Sequence, residues 1–169
     1  MSQRRVAIAN LHPRLRVDRG ALLRAVRALD GPAPPLARPG SALSGAGDLS
    51  IVFLTDPALA GLHARFLGDP SATDVITFDH SRDHQPGVAG EICVSADAAV
   101  RQARAGSGRT RRFSSELALY IVHGWLHLAG HDDLTPTEKR RMRRAEARAM
   151  RHLRENGLLP VFELSRRPP

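Results

Sequence analysis

Cysteine and aromatic residues are scarce in this sequence, and each scarcity argues against a class of protein. Cys93 is the only cysteine among 169 residues, so no disulfide framework is possible within the chain. It lies in an apolar, strand-like run and reads as a small buried hydrophobe rather than a nucleophile. Aromatic residues make up 4 % of the chain, with Trp125 and Tyr120 the single Trp and Tyr, which argues against stacked bases as the main means of holding a nucleic acid. Trp125 falls two residues from each of His123 and His127, so on a helix it points away from them and reads as core. No run of about 18 apolar residues is available to span a bilayer. No secretory apolar segment opens the chain, and a cytoplasmic location is expected.

Positive charge is what the chain has in excess. Its formal net charge is +8, and Lys139 is the single lysine, so arginine carries nearly all of it. The placement is more informative than the total. In the last third of the chain Met142, Ala145, Ala149 and Leu153 share one helical face, while Arg140, Arg144, Arg148 and Arg151 fall opposite. Guanidinium groups in such a stripe pair with backbone phosphates without reading sequence. Arg109, Arg111 and Arg112 form a second basic cluster.

The pattern of elements predicts one α+β domain over residues 1–157, a small mixed sheet of about four strands with about five helices packed on it, followed by a loosely ordered tail at 158–169. Strands are expected at residues 6–10, 49–54, 75–78 and 91–94. Asp18 caps a helix reaching residue 29. Asp56-Pro57 reads as an N-cap and first-turn proline for a helix ending near residue 67. Residues 31–47, with four prolines and four glycines, read as a loop or crossover rather than an element. A helix is expected at 96–105 and another from Thr135, where Thr135, Pro136 and Glu138 spell a capping box. The polar loop at 79–87 carries His80 and His84, both expected in solvent.

The chemistry is concentrated in His123-Gly-Trp-Leu-His-Leu-Ala-Gly-His-Asp-Asp133. Residues 113–128 are rich in helix formers, and Gly130 is the expected stop. Histidines at i and i+4 project from one face, roughly 6 Å apart at Cβ, close enough to share an ion. On an unbroken helix His131 would lie about 12 Å beyond His123, too far for the same small ion. The chain must therefore turn at Gly130 and bring back Asp133, Asp132 or a rotated His131. Three protein ligands and one open position are what a catalytic zinc site requires.

At this point the sequence resembles a known family. His-Gly-x-Leu-His-Leu-x-Gly-x-Asp, followed by Glu138, Met142 and Glu146 at steps of four, is similar to the signature of the bacterial YbeY proteins. Thr73-Asp-Val-Ile-Thr-Phe78 and Gly90-Glu-Ile-Cys-Val-Ser95 agree in order and spacing. The resemblance implies a metal-dependent endoribonuclease of rRNA maturation. It also implies processing of the 3′ end of small-subunit rRNA, ribosome quality control and contacts with the ribosomal small subunit. Three positions depart from the pattern. The third ligand, usually a histidine ten residues after the first, is Asp133 here, which keeps a zinc site but adds a negative charge. Leu67 stands where the family often has an arginine treated as part of the nuclease chemistry, with Arg65 two residues away. Glu91 replaces a usual aspartate.

The expected function is then hydrolysis of phosphodiesters in single-stranded RNA, with one zinc ion per chain held by His123, His127 and Asp133. The general base is open among Asp74, Glu91 and Glu146. Glu146 lies near the apolar face of its helix and is expected to point inward, accepting a ring N–H from His123 or His127; the alternative is an edge residue paired with Arg143. Two other functions compete. A metzincin-like protease shares the histidine spacing, but its glutamate general base would fall at Gly124, which cannot take a proton. A non-catalytic ribosome assembly factor with a structural metal is kept open by Leu67. Replacing Arg140, Arg144 and Arg148 together is expected to weaken RNA binding with little loss of stability. The slope of log affinity against log salt should shrink by up to about 0.7 for each phosphate that is no longer neutralised. An unchanged slope assigns that face to solvent and moves the RNA track to Arg109, Arg111 and Arg112.

Overall fold

The computed structural model describes residues 4–32, 35–44, 47–81, 87–104 and 109–165, and for residues 109–111 the backbone alone. The element order is β1 (Val6–Asn10), β2 (Leu15–Val17), α1 (Arg19–Ala28), a 3₁₀ turn (Ala42–Ser44), β3 (Asp48–Leu54), α2 (Asp56–Leu67), β4 (Val75–Asp79), β5 (Val88–Ser95), α3 (Ala96–Ala103), α4 (Arg109–Leu128), α5 (Pro136–Glu155) and β6 (Phe162–Leu164). The main sheet runs β1-β3-β5-β4, parallel except for β4, which pairs antiparallel with β5 and forms an edge. The expected α+β class, with four strands in this sheet and five α-helices, is therefore what the chain adopts among its described residues.

Local chemistry accounts for the boundaries. Asp18 accepts from the Ala21 N–H at 2.9 Å and starts α1. Thr135 and Glu138 satisfy each other's backbone N–H in the expected capping box of α5. At α2 the expectation is off by one. Thr55 is the N-cap, and the Asp56 carboxylate instead accepts from the Ser95 hydroxyl and pairs with Arg101.

That carboxylate belongs to a polar cluster which sequence reasoning did not anticipate, at the C-terminal ends of the parallel strands. His12 is 4 % exposed, and its Nδ1 accepts from the N–H groups of Arg14 and Leu15. Its Nε2 must then carry the hydrogen, and it donates to Asp97 at 3.2 Å. Asp97 also accepts from the Asp56 N–H at 3.0 Å. The ends of β1 and β3 and the start of α3 are joined this way.

The tail differs from its expected loose order. Residues 162–164 pair antiparallel with β2, and Phe162 is fully buried against Phe53. The Ser114 hydroxyl donates to the Phe162 carbonyl at 3.2 Å and accepts its N–H at 2.9 Å. Two three-residue strands nearly 150 residues apart have no detectable period, so nothing local announced them. Residues 166–169 lie outside the described residues.

Helix α4 is the spine of the core. Trp125, Leu126 and Leu117 are fully buried, as expected for Trp125, and Met142, Ala145, Ala149 and Leu153 of α5 are buried alongside. Cys93 is buried on the other face of the sheet with Leu54, Leu59 and Ile76, and burial pushes its thiol up to about 12, with the charge and hydrogen bond of Glu91 acting in the same direction. It is inert at neutral pH.

Gly124 sets the approach of α4 to the sheet. A Cβ there would meet Ile92 Cγ2 at 2.6 Å and Thr77 Oγ1 at 3.1 Å. Helix propensity alone favours alanine by up to about 1 kcal/mol. Overpacking against a fully buried Ile92 costs typically about 1–3 kcal/mol and should win. Gly124→Ala is therefore expected to lower the unfolding free energy measured by urea denaturation by an amount in that range, and an unchanged or raised value would show that the helix can lift at no cost.

Candidate metal centre

Helix α4 presents His123 and His127 on one face, and their Nε2 atoms stand 3.0 Å apart. The chain then leaves the helix at Gly130, which adopts φ +88°, with the Gly130 N–H on the His127 carbonyl and the His131 N–H on the Leu126 carbonyl. This left-handed turn brings Asp133 back to 3.8 Å from His127 Nε2. One donor atom from each of His123, His127 and Asp133 can be chosen so that all lie within 4.8 Å of one another. Donors sharing one ion at bonds of about 2.0–2.2 Å stand at most about 4.4 Å apart. A small inward movement of half-buried side chains closes that gap, so the residues fit a single divalent ion.

Of the three candidates for the third position, only Asp133 faces the pair. His131 is turned the other way, its Nε2 donating to the Leu36 carbonyl at 2.9 Å. Burial holds its pKa below the ordinary histidine range, with the Leu36 bond opposing and the charges of Arg38 and Arg148 reinforcing. Asp132 is exposed, and its carboxylate accepts from the Asp133 N–H at 2.8 Å. The proline-rich loop turns out to be a clamp on this turn. The Arg38 N–H donates to the Ala129 carbonyl at 2.9 Å, and Leu36 is buried beside it.

Glu146 of α5 points inward, and its Oε1 lies 2.7 Å from His123 Nδ1. A carboxylate can only accept, so Nδ1 carries the hydrogen and the lone pair is left on Nε2, facing His127. Burial works against charge on His123, but the hydrogen bond and charge of Glu146, with Asp133 and Asp74, outweigh it and raise its pKa. His127 moves the other way, through burial and the neighbouring His123, with Asp133 and Asp132 opposing.

A cleft of about 270 Å³ opens beside the histidines and wraps the edge strand β4. Helix α4 contributes His123, His127 and Leu128 from one side, and α2 contributes His63 and Leu67 from the other. Leu67, at the family's arginine position, is 62 % exposed in this cleft. Arg65 does not line it; its guanidinium lies over Phe66. His63 is a position that sequence reasoning passed over. Its spacing of four before Leu67 was the available signal, because such residues share a helix face.

The acidic candidates separate by sheet face. Glu91 hydrogen-bonds the Cys93 thiol and, by strand alternation, lies on the side away from α4, where Gly90 and Ile92 face that helix. It does not line this cleft. Asp74 is exposed at the start of β4, close enough for its charge to act on His123. His80, expected in solvent, is half-buried and stacks on Phe78 at 6.3 Å; His84 lies outside the described residues. Arg140 and Arg144 are exposed as expected, Arg140 donating to Thr137, whereas Arg148 is half-buried near His131. Arg112 is exposed; the side chains of Arg109 and Arg111 lie outside the description.

The fold and this cleft define an α+β protein with a helix-borne His-His-Asp set suited to a divalent ion. The profile of the endoribonuclease YbeY family matches residues 37–154, and the chain belongs to that family. A Chlamydia abortus protein named endoribonuclease YbeY is 40 % identical over 113 residues, covering 64 % of this chain and 71 % of its own. One from Beutenbergia cavernae, of the same name, is 38 % identical over 103 residues, covering 56 % and 67 % respectively. The solution structure of TM1509 from Thermotoga maritima superposes with a TM-score of 0.55 over 90 % of this chain and 94 % of that one, at 20 % identity. That likeness speaks to the fold alone.

Removing either imidazole leaves two donors, which hold a divalent ion poorly. His123→Ala or His127→Ala is therefore expected to abolish stoichiometric metal by elemental analysis. Asp133→Asn should weaken binding and His131→Ala should not. Glu146→Gln, which keeps shape and removes charge, should lower metal affinity roughly 10- to 100-fold. Unaltered affinity in that last variant would reduce the 2.7 Å contact to packing.

Proposed function

We propose that this chain is a zinc-dependent endoribonuclease that cuts single-stranded RNA, with His123, His127 and Asp133 as the ligands. The observation that carries the reading is the convergence of these three side chains, with both histidines lining an open cleft and Glu146 fixing the His123 tautomer. An ion held there would supply Lewis-acid polarisation of a phosphoryl oxygen and a nucleophile at neutral pH. The chain's own part is to hold three donors and leave the cleft side open. Arg140 and Arg144 on the exposed face of α5, with Arg112 and the further candidates Arg109, Arg111 and Arg148, would attract the phosphate backbone.

Family membership extends the proposal to maturation of the 3′ end of small-subunit rRNA and ribosome quality control, in the cytoplasm and in contact with the ribosomal small subunit. No helix among the described residues is long and apolar enough to cross a membrane. The protease alternative is disfavoured by geometry as well as by chemistry. A Cβ at position 124 would already meet Ile92 Cγ2 at 2.6 Å, so the glutamate that a protease needs has no room there. The assembly-factor alternative draws on Leu67, which puts no charge into the cleft.

One comparison separates the three. The purified protein is loaded with zinc, then given an unstructured oligoribonucleotide, casein, and the same RNA with chelator. Cleavage of RNA alone, lost with chelator and absent in His123→Ala, is the expected result. Casein cleavage would establish the protease, and tight RNA binding without cleavage the assembly factor.

A further inference from the structure

Among the described residues lining the cleft, His63 is the one side chain outside the His-His-Asp set that can carry positive charge. The rest of the lining is apolar or neutral apart from Asp79, whose carboxylate repels a phosphodiester and is engaged by the N–H and hydroxyl of Ser81. His63 is also held in place. Its Nδ1 lies 3.1 Å from the Ser71 carbonyl oxygen. A carbonyl only accepts, so Nδ1 carries the hydrogen, and Nε2 is the nitrogen left for another partner.

The anchor has hydrogen bonds of its own. Helix α2 ends at Gly68 with φ +71°, and the Ser71 N–H donates to the Asp69 carboxylate at 2.8 Å. Asp69 is near enough for its charge to interact with the imidazole. A surface helix histidine whose ring is clamped by a turn, beside a cleft that already holds a candidate metal set, is arranged to meet a ligand across β4.

We infer that His63 is a substrate-contacting residue, whose Nε2–H donates to a phosphoryl oxygen of the RNA strand opposite the metal set. This rests on the endoribonuclease reading above. Because Nδ1 already donates, Nε2 donates in the doubly protonated ring, which offers two N–H groups. A charge-assisted donor aimed where negative charge builds costs about 10²–10³ in rate when removed.

Two substitutions divide the ring's roles. His63→Asn puts an amide donor near the Nδ1 position, keeping the Ser71 bond, and leaves nothing at Nε2. His63→Gln reaches the Nε2 position and gives up the Ser71 bond. The Asn variant is expected to keep its melting temperature and zinc content. It should bind a non-cleavable 2′-O-methyl oligoribonucleotide several-fold more weakly and cut the unmodified strand about 100-fold more slowly, with Gln less affected in both. In the wild type, adding the 2′-O-methyl strand should shift the ¹⁵N signal of His63 Nε2 more than that of Nδ1. An Asn variant equal to wild type, or Gln the more damaged of the two, overturns the proposal and leaves His63 as a clamp of the turn. If the zinc-loaded wild type binds the strand yet cuts nothing, the endoribonuclease reading fails by itself. The weaker binding of the Asn variant and the Nε2 shift then still decide on His63, and their absence overturns it.

Discussion

Helix α4 lies so close to strands β4 and β5 that no side chain fits between them at residue 124, and this contact fixes the rotation of the helix. With Gly124 against Ile92 and Thr77, and with Leu128 over Gly90, the buried arc is set by Leu117, Ile121, Trp125 and Leu126. His123 and His127 are left on the rim beside β4. A rotation that exposed position 124 would carry both histidines away from the cleft together, since they share one face. The glycine therefore acts on the site through packing. Its lack of a side chain, which denies the chain a protease base, has a structural cause.

The rim position alone would leave the His123 imidazole in an arbitrary tautomer. Helix α5 removes that freedom. Its capping box and its apolar face of Met142, Ala145, Ala149 and Leu153 place Glu146 against His123 Nδ1. The carboxylate then offsets the burial of His123 and leaves its Nε2 toward His127. On the other side the Gly130 turn is held by Leu36 and Arg38, which bond His131 and Ala129. His131 is consumed by that clamp, and the third place in the set passes to Asp133. Each donor is thus fixed by an element whose own position depends on the seating of α4.

Strong local signals were legible. The i, i+4 histidines, Gly130, the Thr135 capping box and the Asp18 cap all act within one or two turns of helix, and their outcome is written in neighbouring residues. Glu146 was readable because a carboxylate near an apolar face needs a partner. Glu91 was not, because the strand's facing decides it, and a one-residue difference in register puts a side chain on the opposite face of the sheet. His12, buried with Asp97, and the pairing of residues 162–164 with β2 were equally hidden, as they join segments 85 and nearly 150 residues apart. Such pairings depend on loop closure and packing, neither of which leaves a local pattern.

The sequence by itself determined the fold class, the helix that bears the histidines, the stop that ends it and the family. Periodicity and capping are short-range effects, and the motif is contiguous. Only the tertiary structure decided which residue completes the set, which acid stands behind His123 and what faces it across β4. Asp133 and His131 are two residues apart and chemically both able to bind a metal. What separates them is the direction of a turn and a carbonyl 95 residues earlier in the chain, at Leu36, that takes the histidine ring. His63 likewise gains meaning only when α2 and α4 meet around an edge strand. Side-chain direction is set by packing between distant elements, which spacing along the chain does not encode.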